Sequence, residues 1–153
     1  MAIVHLGIGS NIGDRQANCE RALELLGGRG IKIKKVSSMY ETRPWGLKEQ
    51  PDFINMAAEA ETDLSPEELL DALKGIEKEM GRKDTVKWGP RVIDLDILFY
   101  NDEIVDTQRL RIPHPFIHER DFVVVPLAEI APDKVHPVLK KSVRQLREEL
   151  KGV

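Results

Sequence analysis

Residues 88–100 have the sequence WGPRVIDLDILFY, and the rest of the chain is best interpreted outward from this stretch. Its β-branched and aromatic residues predict a strand, in which successive side chains point to opposite faces at a rise of about 3.3 Å per residue. Asp94 and Asp96 then share one face. The apolar side chains of the stretch are expected on the other face: Ile93, Leu95, Ile97 and Phe99. The strand can therefore bury one side while it holds two carboxylates on the other.

The pair formed by Asp94 and Asp96 is costly without a partner. Two carboxylates about 6.6 Å apart along a strand repel each other unless a cation or arginines neutralise them. Hard divalent cations such as Mg²⁺ favour oxygen ligands of this kind and leave positions for substrate phosphates. A polar face that is merely wet is the alternative, and a three-residue D-x-D motif does not decide between the two.

Length and composition indicate a single globular domain over residues 1–153. The chain is 41% hydrophobic and 32% charged, as is typical of soluble globular proteins. Its formal charge of −3 argues against broad nucleic-acid binding, and no apolar run is long enough to span a membrane. One cysteine, Cys19, excludes an internal disulfide and fits a reducing cytoplasm. We expect a cytoplasmic monomer, with a weak dimer left open.

Hydrophobic periodicity predicts strands and helices in the order β-α-β-β-α-β up to Tyr100. Asp14 is the expected N-cap of the first helix, and Ser65 with Glu68 forms a capping box for the second. The predicted elements are strand 2–8, helix 15–26, strand 31–40, strand 53–62, a helix from Ser65 to Gly81, and a strand within residues 88–100. Segment 41–52 between the third and fourth elements is expected to be a long irregular loop.

The C-terminal third is predicted to add a hairpin and two helices. Residues 101–102 form the expected turn into a short strand at 103–105. A buried helix is predicted over 122–130 despite Pro126, and a last helix begins at Ser142 with Gln145 at the third helical position.

Two further groups of side chains suggest ligand binding. Phe53 and Asn55 share a strand face, where a ring beside an amide could stack and hydrogen-bond a flat heterocycle; a core Phe and a turn Asn remain the alternative. The loop at 82–87 is mostly basic and leads into the Asp94 strand. A second basic cluster follows that strand and includes Arg109, Arg111, His114 and Arg120. An anion such as a metal-bound polyphosphate is the natural partner of these groups.

The motifs in this order resemble those of the 6-hydroxymethyl-7,8-dihydropterin pyrophosphokinase family along the whole chain. The matching motifs are GSN at 9–11, YETRPWG at 40–46, QPDFIN at 50–55, GR at 81–82, RVIDLD at 91–96 and PHP at 113–115, with Arg120 and Phe122 beyond. The resemblance implies transfer of pyrophosphate from ATP to the hydroxymethyl oxygen of the pterin, with release of AMP, in folate biosynthesis. It also implies an α+β fold, a ferredoxin-like βαββαβ sandwich with an antiparallel sheet, helices packed on it and a C-terminal extension.

The resemblance also implies a role for individual residues. Two Mg²⁺ ions would be held by Asp94 and Asp96. The pterin would be bound by Thr42, Pro44, Trp45, Gly46, Phe53, Asn55 and Phe122. ATP would be bound by Lys74, Glu77, Trp88, Arg91, Ile97, Arg109, Arg111, His114 and Arg120. The catalytic residues would be Arg82, Arg91 and Asp96.

One loop departs from the family pattern, because Asp84 and Lys87 occupy positions where many members carry arginine. Lysine cannot reproduce a bidentate guanidinium contact, and an aspartate repels phosphate. Two other functions therefore stay open. The same carboxylates could serve a metal-dependent phosphodiesterase or nuclease, or the chain could be a non-catalytic ferredoxin-like binding module.

Overall fold

The computed structural model describes residues 1–42, 52–81 and 92–151. Its strands are β1 (Ala2–Ser10), β2 (Ile31–Val36), β3 (Tyr40–Thr42), β4 (Phe53–Thr62), β5 (Asp94–Tyr100), β6 (Val105–Asp106) and β7 (Arg111–Ile112). Its helices are α1 (Arg15–Gly27), α2 (Pro66–Glu79), α3 (Asp121–Ile130) and α4 (Val143–Lys151), with a 3₁₀ turn at Ile117–Glu119.

The main sheet is antiparallel, with the strand order β2-β4-β1-β5 and with β3 paired to β4 beyond the end of β2. Together with the connecting helices α1 and α2, this order is the predicted ferredoxin-like βαββαβ arrangement. Strands β6 and β7 form a separate two-stranded ribbon. Across the part of the chain that the structure describes, none of the helices has the length and apolar character needed to cross a bilayer.

Helices α1, α2 and α4 begin where the sequence predicts, because side chains satisfy their first N–H groups. Asp14 accepts a first-turn N–H of α1 at 3.1 Å. Ser65 and Glu68 bond reciprocally at the start of α2, at 3.2 and 2.9 Å. Ser142 and Gln145 do the same for α4, at 3.2 and 2.9 Å. These caps fix where each helix leaves the sheet.

The two faces of the sheet carry separate apolar clusters. Helices α1 and α2 cover one face, here called the α1/α2 face, where Val4, Leu6 and Ile8 of β1 are buried. Helices α3 and α4 cover part of the opposite face, here called the α3 face, where Ala57 of β4 and Leu127 of α3 belong to one buried apolar cluster. The C-terminal extension therefore closes the side of the sheet that the βαββαβ unit leaves uncovered.

The position of Phe99 differs from the prediction. Ile97 is buried on the α1/α2 face, but Leu98 and Phe99 are both buried on the α3 face. The register explains this, since Ile97 pairs with Leu6 and Phe99 pairs with the adjacent His5, which leaves Leu98 as an extra residue. Such a β-bulge reverses the alternation beyond it. The expectation that Phe99 shares a face with Ile97 was wrong.

Two predicted strand boundaries also need correction. The strand expected at 31–40 stops at Val36, because the Ser37 hydroxyl accepts the N–H of Ala57 at 2.8 Å in place of a ladder bond; pairing resumes at Tyr40. The short strand expected at 103–105 lies at 105–106. The strand at 53–62 and the helix over 122–130 are confirmed, the latter beginning one residue earlier. Most of the loop predicted at 41–52 lies outside the described residues.

Candidate active site

The register of three strands brings Asn55, Gly9 and Asp94 into one row across the sheet. Gly9 of β1 pairs with Asn55 of β4 on one side and with Asp94 of β5 on the other. Asp96 lies opposite Gly7 in the same way. Since paired residues of antiparallel strands point to one face, both carboxylates and the Asn55 amide lie on the α3 face.

The two glycines leave room for neighbouring side chains over β1. A Cβ at Gly9 would lie 2.6 Å from Oδ1 of Asn55, closer than non-bonded atoms approach. A Cβ at Gly7 would meet the side chain of Leu98 at 3.5 Å. The Asn55 amide thus lies over Gly9, and a larger residue at Gly9 would displace it. The predicted site residues did not include Gly7 or Gly9, although glycine inside a strand pattern is a signal of close approach.

His114 lies beside Asp96 of β5. The backbone N–H of His114 donates to the carbonyl of Leu98 at 3.1 Å, which holds this segment against β5. Nδ1 accepts the N–H of Phe116 at 3.2 Å, so the neutral ring carries its proton on Nε2, which lies 3.9 Å from Oδ1 of Asp96. Burial, and secondarily the charge of Arg120, lowers the pKa of His114 to about 4. His114 is therefore neutral at physiological pH and can donate a hydrogen bond without adding charge.

Arg120 supplies the positive charge on this side of the sheet. Its side chain is buried, and its Cζ lies 4.7 Å from the ring centre of Phe116 and 5.6 Å from that of Phe122. Burial lowers the pKa of Arg120, whereas Asp96 and Asp94 raise it. The guanidinium stays protonated at neutral pH, since an arginine side chain is not deprotonated in proteins. The site is thus not uniformly negative.

Aromatic and hydrogen-bonding groups lie next to the carboxylates. Phe53 and Asn55 of β4 are half-buried on the α3 face, and Thr42 pairs with Phe53. The Asn55 amide donates to Oγ1 of Thr42 at 2.6 Å, which orients Oδ1 over β1. Phe122 is half-buried in the first turn of α3, the helix that packs against β4. The predicted pterin residues of the described chain therefore gather on one face.

Three of the predicted ATP residues lie elsewhere. Glu77 is buried on α2, and one of its carboxylate oxygens accepts the N–H of Leu95 at 2.9 Å. This bond holds the outer edge of β5 between the two aspartates. Lys74 is exposed one helical turn earlier, and the side chain of Ile97 is buried in the α1/α2 core. None of these three side chains lies on the sheet face of the carboxylates.

Arg109 and Arg111 are exposed and engaged in surface ion pairs. Arg109 binds Glu67 of α2 at 2.7 Å and also contacts Asp71. These contacts raise the pKa of Arg109, the hydrogen bond to Asp71 being the largest cause. Arg111 lies 3.4 Å from Asp106. A polyphosphate would have to compete with these carboxylates for either guanidinium.

The donor set fits Mg²⁺ only in combination with a substrate. Among residues 1–42, 52–81 and 92–151, no three His, Cys, Asp or Glu side chains converge to hold a metal alone. Asp94 and Asp96 nevertheless offer two half-buried carboxylates, the side chain of Asp96 being 38% exposed. Mg²⁺ commonly uses one or two carboxylates, retains several waters and takes its remaining ligands from phosphates. The observed pair matches that pattern.

Several predicted site residues lie outside the described residues: Pro44, Trp45, Gly46, Arg82, Trp88 and Arg91. Asp84 and Lys87, which depart from the family pattern, lie there too. They flank the described site in sequence, since segment 43–51 joins Thr42 to the strand of Phe53 and segment 82–91 leads into β5.

Comparison with known proteins gives consistent matches. The family described as 7,8-dihydro-6-hydroxymethylpterin-pyrophosphokinase (HPPK) matches residues 5–132. The 2-amino-4-hydroxy-6-hydroxymethyldihydropteridine pyrophosphokinase of Aquifex aeolicus is 47% identical over 149 residues, which cover 97% of this chain and 92% of that protein. The protein of the same name from Bacillus subtilis is 49% identical over 129 residues, covering 84% of this chain and 77% of the relative.

Solved structures show the same fold at lower identity. The wild-type HPPK-DHPS of Plasmodium falciparum with pteroate aligns with 97% of this chain at a TM-score of 0.78 and 18% identity. This chain spans 42% of that longer protein. At such identity the likeness concerns the fold, and it agrees with the ferredoxin-like strand order described above.

Proposed function

This chain belongs to the 7,8-dihydro-6-hydroxymethylpterin-pyrophosphokinase family, and from that premise we propose how its residues carry out the reaction. The chain transfers pyrophosphate from ATP to the hydroxymethyl group of 6-hydroxymethyl-7,8-dihydropterin in folate biosynthesis and releases AMP. The observation that carries the residue-level proposal is the common sheet face of Asp94, Asp96, Asn55 and Phe53, beneath the helix that bears Phe122.

The acceptor pterin lies between Phe53 and Phe122 in this proposal. Aromatic rings stack well on a flat heterocycle, and both side chains are half-buried on the same side of the sheet. Asn55 and Thr42 hydrogen-bond the edge of the ring, since their mutual bond leaves Oδ1 of the amide directed over Gly9. The family motif assigns Pro44, Trp45 and Gly46 to the pterin as well, although they lie outside the described residues.

ATP lies at the other side of the carboxylate pair. Asp94 and Asp96 would hold two Mg²⁺ ions, which when bound neutralise the phosphate oxygens and orient the pterin hydroxyl. The buried Arg120 adds positive charge, and His114 donates from Nε2 without bringing a second charge. Trp88, Arg91, Arg109 and Arg111 would supply the remaining nucleotide contacts. Lys74, Glu77 and Ile97 lie off the carboxylate face and are not assigned a contact with the phosphates.

The reaction needs alignment and charge neutralisation more than covalent participation. The hydroxymethyl oxygen attacks the β-phosphorus as the bond between that phosphorus and the α–β bridging oxygen breaks. The bridging oxygen leaves as part of AMP, and the hydroxyl proton passes to solvent. Arg82 and Arg91 stabilise the charge that develops on the transferred group, because guanidinium groups bind phosphate oxygens bidentately. Lys87 would contribute a point charge in place of a bidentate guanidinium, and the charge of Asp84 would oppose phosphate binding.

We also propose that the protein works as a monomer in the cytoplasm and that residues 1–153 form one domain. A chain with a single cysteine fits a reducing compartment, where disulfides are rare. Cys19 is fully buried, and burial raises its pKa to about 11. Sedimentation of the purified protein at micromolar concentration would test the oligomeric state.

The decisive experiment is incubation with ATP, Mg²⁺ and 6-hydroxymethyl-7,8-dihydropterin. A pyrophosphokinase yields AMP and a pterin diphosphate in equal amounts. A phosphodiesterase or nuclease yields no pterin diphosphate, and a binding module yields neither product. Absence of both products from a folded protein that binds both substrates would refute catalysis.

A further inference from the structure

Glu129, near the end of α3, makes a group of contacts that none of the assigned roles uses. Its carboxylate accepts the N–H of Ser38 at 3.0 and 3.1 Å and the hydroxyl of Ser38 at 3.3 Å. It also accepts the phenolic hydroxyl of Tyr40 in a short contact. These bonds, here called the Glu129 clamp, join α3 to the start of β3. They are charge-assisted, which makes each about twice as strong as a neutral hydrogen bond.

The β3 end of the clamp adjoins the proposed acceptor site. Tyr40 pairs with Asn55 in the β3–β4 ladder, and Thr42 follows two residues later on the same face. Tyr40 and Thr42 are about 6.6 Å apart along the strand. A displacement of Tyr40 would therefore be transmitted directly to the groups proposed to bind the edge of the pterin.

The α3 end of the clamp shares a helix face with Phe122. Phe122, Pro126 and Glu129 follow the i, i+4, i+7 spacing of one face, so Phe122 lies about 10.5 Å along the helix from Glu129. Pro126 has no N–H to donate to the carbonyl of Phe122, which weakens the helix between the two residues. The position of Phe122 consequently depends on contacts outside α3, with buried Arg120 at one end of the helix and the clamp at the other.

We infer that the Glu129 clamp positions the acceptor pocket, because it fixes the distance between Phe122 on α3 and the Thr42–Asn55 pair on β3 and β4. Glu129 and Tyr40 are positioning residues that touch no reacting atom. The inference rests on the proposed pterin site. Reciprocal effects on ionisation agree with a strong contact, since hydrogen bonding raises the pKa of Tyr40 and lowers that of Glu129.

The clamp is solvent-exposed at Glu129, so its loss should affect geometry more than stability. Glu129→Ala should raise the KM for the pterin about tenfold while kcat and the KM for ATP stay within about twofold of wild type. Glu129→Gln keeps one acceptor oxygen without the charge, replaces the other with an amide NH2, and should raise the pterin KM only about threefold. Tyr40→Phe should resemble Glu129→Gln.

Non-additivity gives the sharper readout. If Tyr40 acts through Glu129, the double variant Tyr40→Phe with Glu129→Ala should have the same pterin KM as Glu129→Ala alone. The matched control is Glu24→Ala, which removes an exposed glutamate from α1 on the opposite side of the sheet and should leave every constant unchanged.

The measurements are steady-state kinetics for both substrates, a melting curve for each variant, and fluorescence titration of 6-hydroxymethylpterin with Mg²⁺ and a non-hydrolysable ATP analogue. Equal pterin KM and Kd in wild type and Glu129→Ala would overturn the inference that the clamp positions the acceptor pocket. A lower kcat together with a higher KM for both substrates would overturn it as well. Failure of the wild-type protein to form AMP would instead refute the proposed function, and the pterin titration would still test the clamp. If Glu129→Ala did not fold, Tyr40→Phe would decide by the same criteria.

Discussion

The two faces of the sheet differ in what the same strands place on them. On the α1/α2 face, β1 and β5 contribute buried side chains near the carboxylate row, apolar at Leu6, Ile8 and Leu95 and polar at Ser10. On the α3 face, the same strands contribute Gly9, Asp94 and their neighbours. Adjacent residues of one strand point to opposite faces, so core residues and residues proposed to act on substrates alternate along the same strand.

The α3 face is itself divided along the strands. Near the start of β5 it carries carboxylates and glycines, whereas Leu98 and Phe99 farther along pack against α3 and α4. The bulge at Leu98 adds a second consecutive side chain to this core. Helix α3 thus rests on an apolar support close to the polar site, and the support compensates for the unfavourable placement of two aspartates on a strand.

The largest expected effect is a loss of catalytic activity on removal of a carboxylate from the α3 face. Asp96→Ala should reduce the rate of AMP formation on the order of 10³-fold, since loss of an electrostatic contact to the reacting phosphates removes transition-state stabilisation. The melting temperature should stay the same or rise, because one of two like charges is removed. AMP release and thermal melting measure the two effects.

The matched control for that variant is Asp63→Ala, at a position that is 90% exposed next to the amino terminus. It should retain full activity. An active Asp96→Ala protein would contradict the metal assignment, and an unfolded one would show that the carboxylate is structural.

The second effect separates the two apolar cores. Leu69 of α2 and Leu127 of α3 are both fully buried, one on each face. Truncation of either to alanine should cost about 3 kcal/mol of unfolding free energy. Leu69→Ala should leave the pterin KM unchanged at temperatures where the variant is folded, whereas Leu127→Ala should raise it several-fold because α3 carries Phe122.

Urea unfolding and steady-state kinetics measure these two quantities on the same preparations. Equal pterin KM values for the two leucine variants would break the comparison, since both cores would then support the acceptor site equally or not at all.

Much of the fold could be predicted from local signals. The caps at Asp14, Ser65 and Ser142 depend on residues within one helical turn, and the apolar alternation of β1 depends on residues two apart. Such patterns are visible without tertiary contacts. The end of β2 at Val36 could not be predicted in this way, because the Ser37 hydroxyl accepts a hydrogen bond from Ala57, which lies 20 residues away in sequence.

The site shows the same division. The strand pattern predicts that Asp94 and Asp96 share a face, but only the register shows that Gly9 and Asn55 complete the row. Phe99 was assigned to the wrong face because a bulge depends on pairing with the neighbouring strand, which one strand's sequence does not specify. Interactions between distant segments were therefore where the prediction stopped.

The smallest expected effect concerns a polar pair at the far end of the α3 face. His5 is buried, and its Nε2 lies 3.0 Å from Oε1 of Glu59. Burial lowers the pKa of His5 below 6.5, against the opposing effect of Glu59, and Lys134 and Lys35 lower it further. The folded protein therefore keeps His5 neutral below pH 6.5, where the unfolded chain already binds a proton.

Stability from His5 is thus fully present above pH 6.5 and is lost as the pH falls toward its folded pKa. His5→Gln should make the decline of unfolding free energy between pH 6.5 and 5 shallower by less than about 1.4 kcal/mol per pH unit, the limit for one proton. Urea unfolding at several pH values measures the slope, and exposed His118→Gln is the control. An unchanged slope in His5→Gln, or an equal change in His118→Gln, would contradict this contribution of His5 to the pH dependence of stability.

Unchanged pterin kinetics in His5→Gln would confine the functional part of the α3 face to the end that holds Asp94. His5 and Glu59 lie on the same face but are not proposed to contribute to the site.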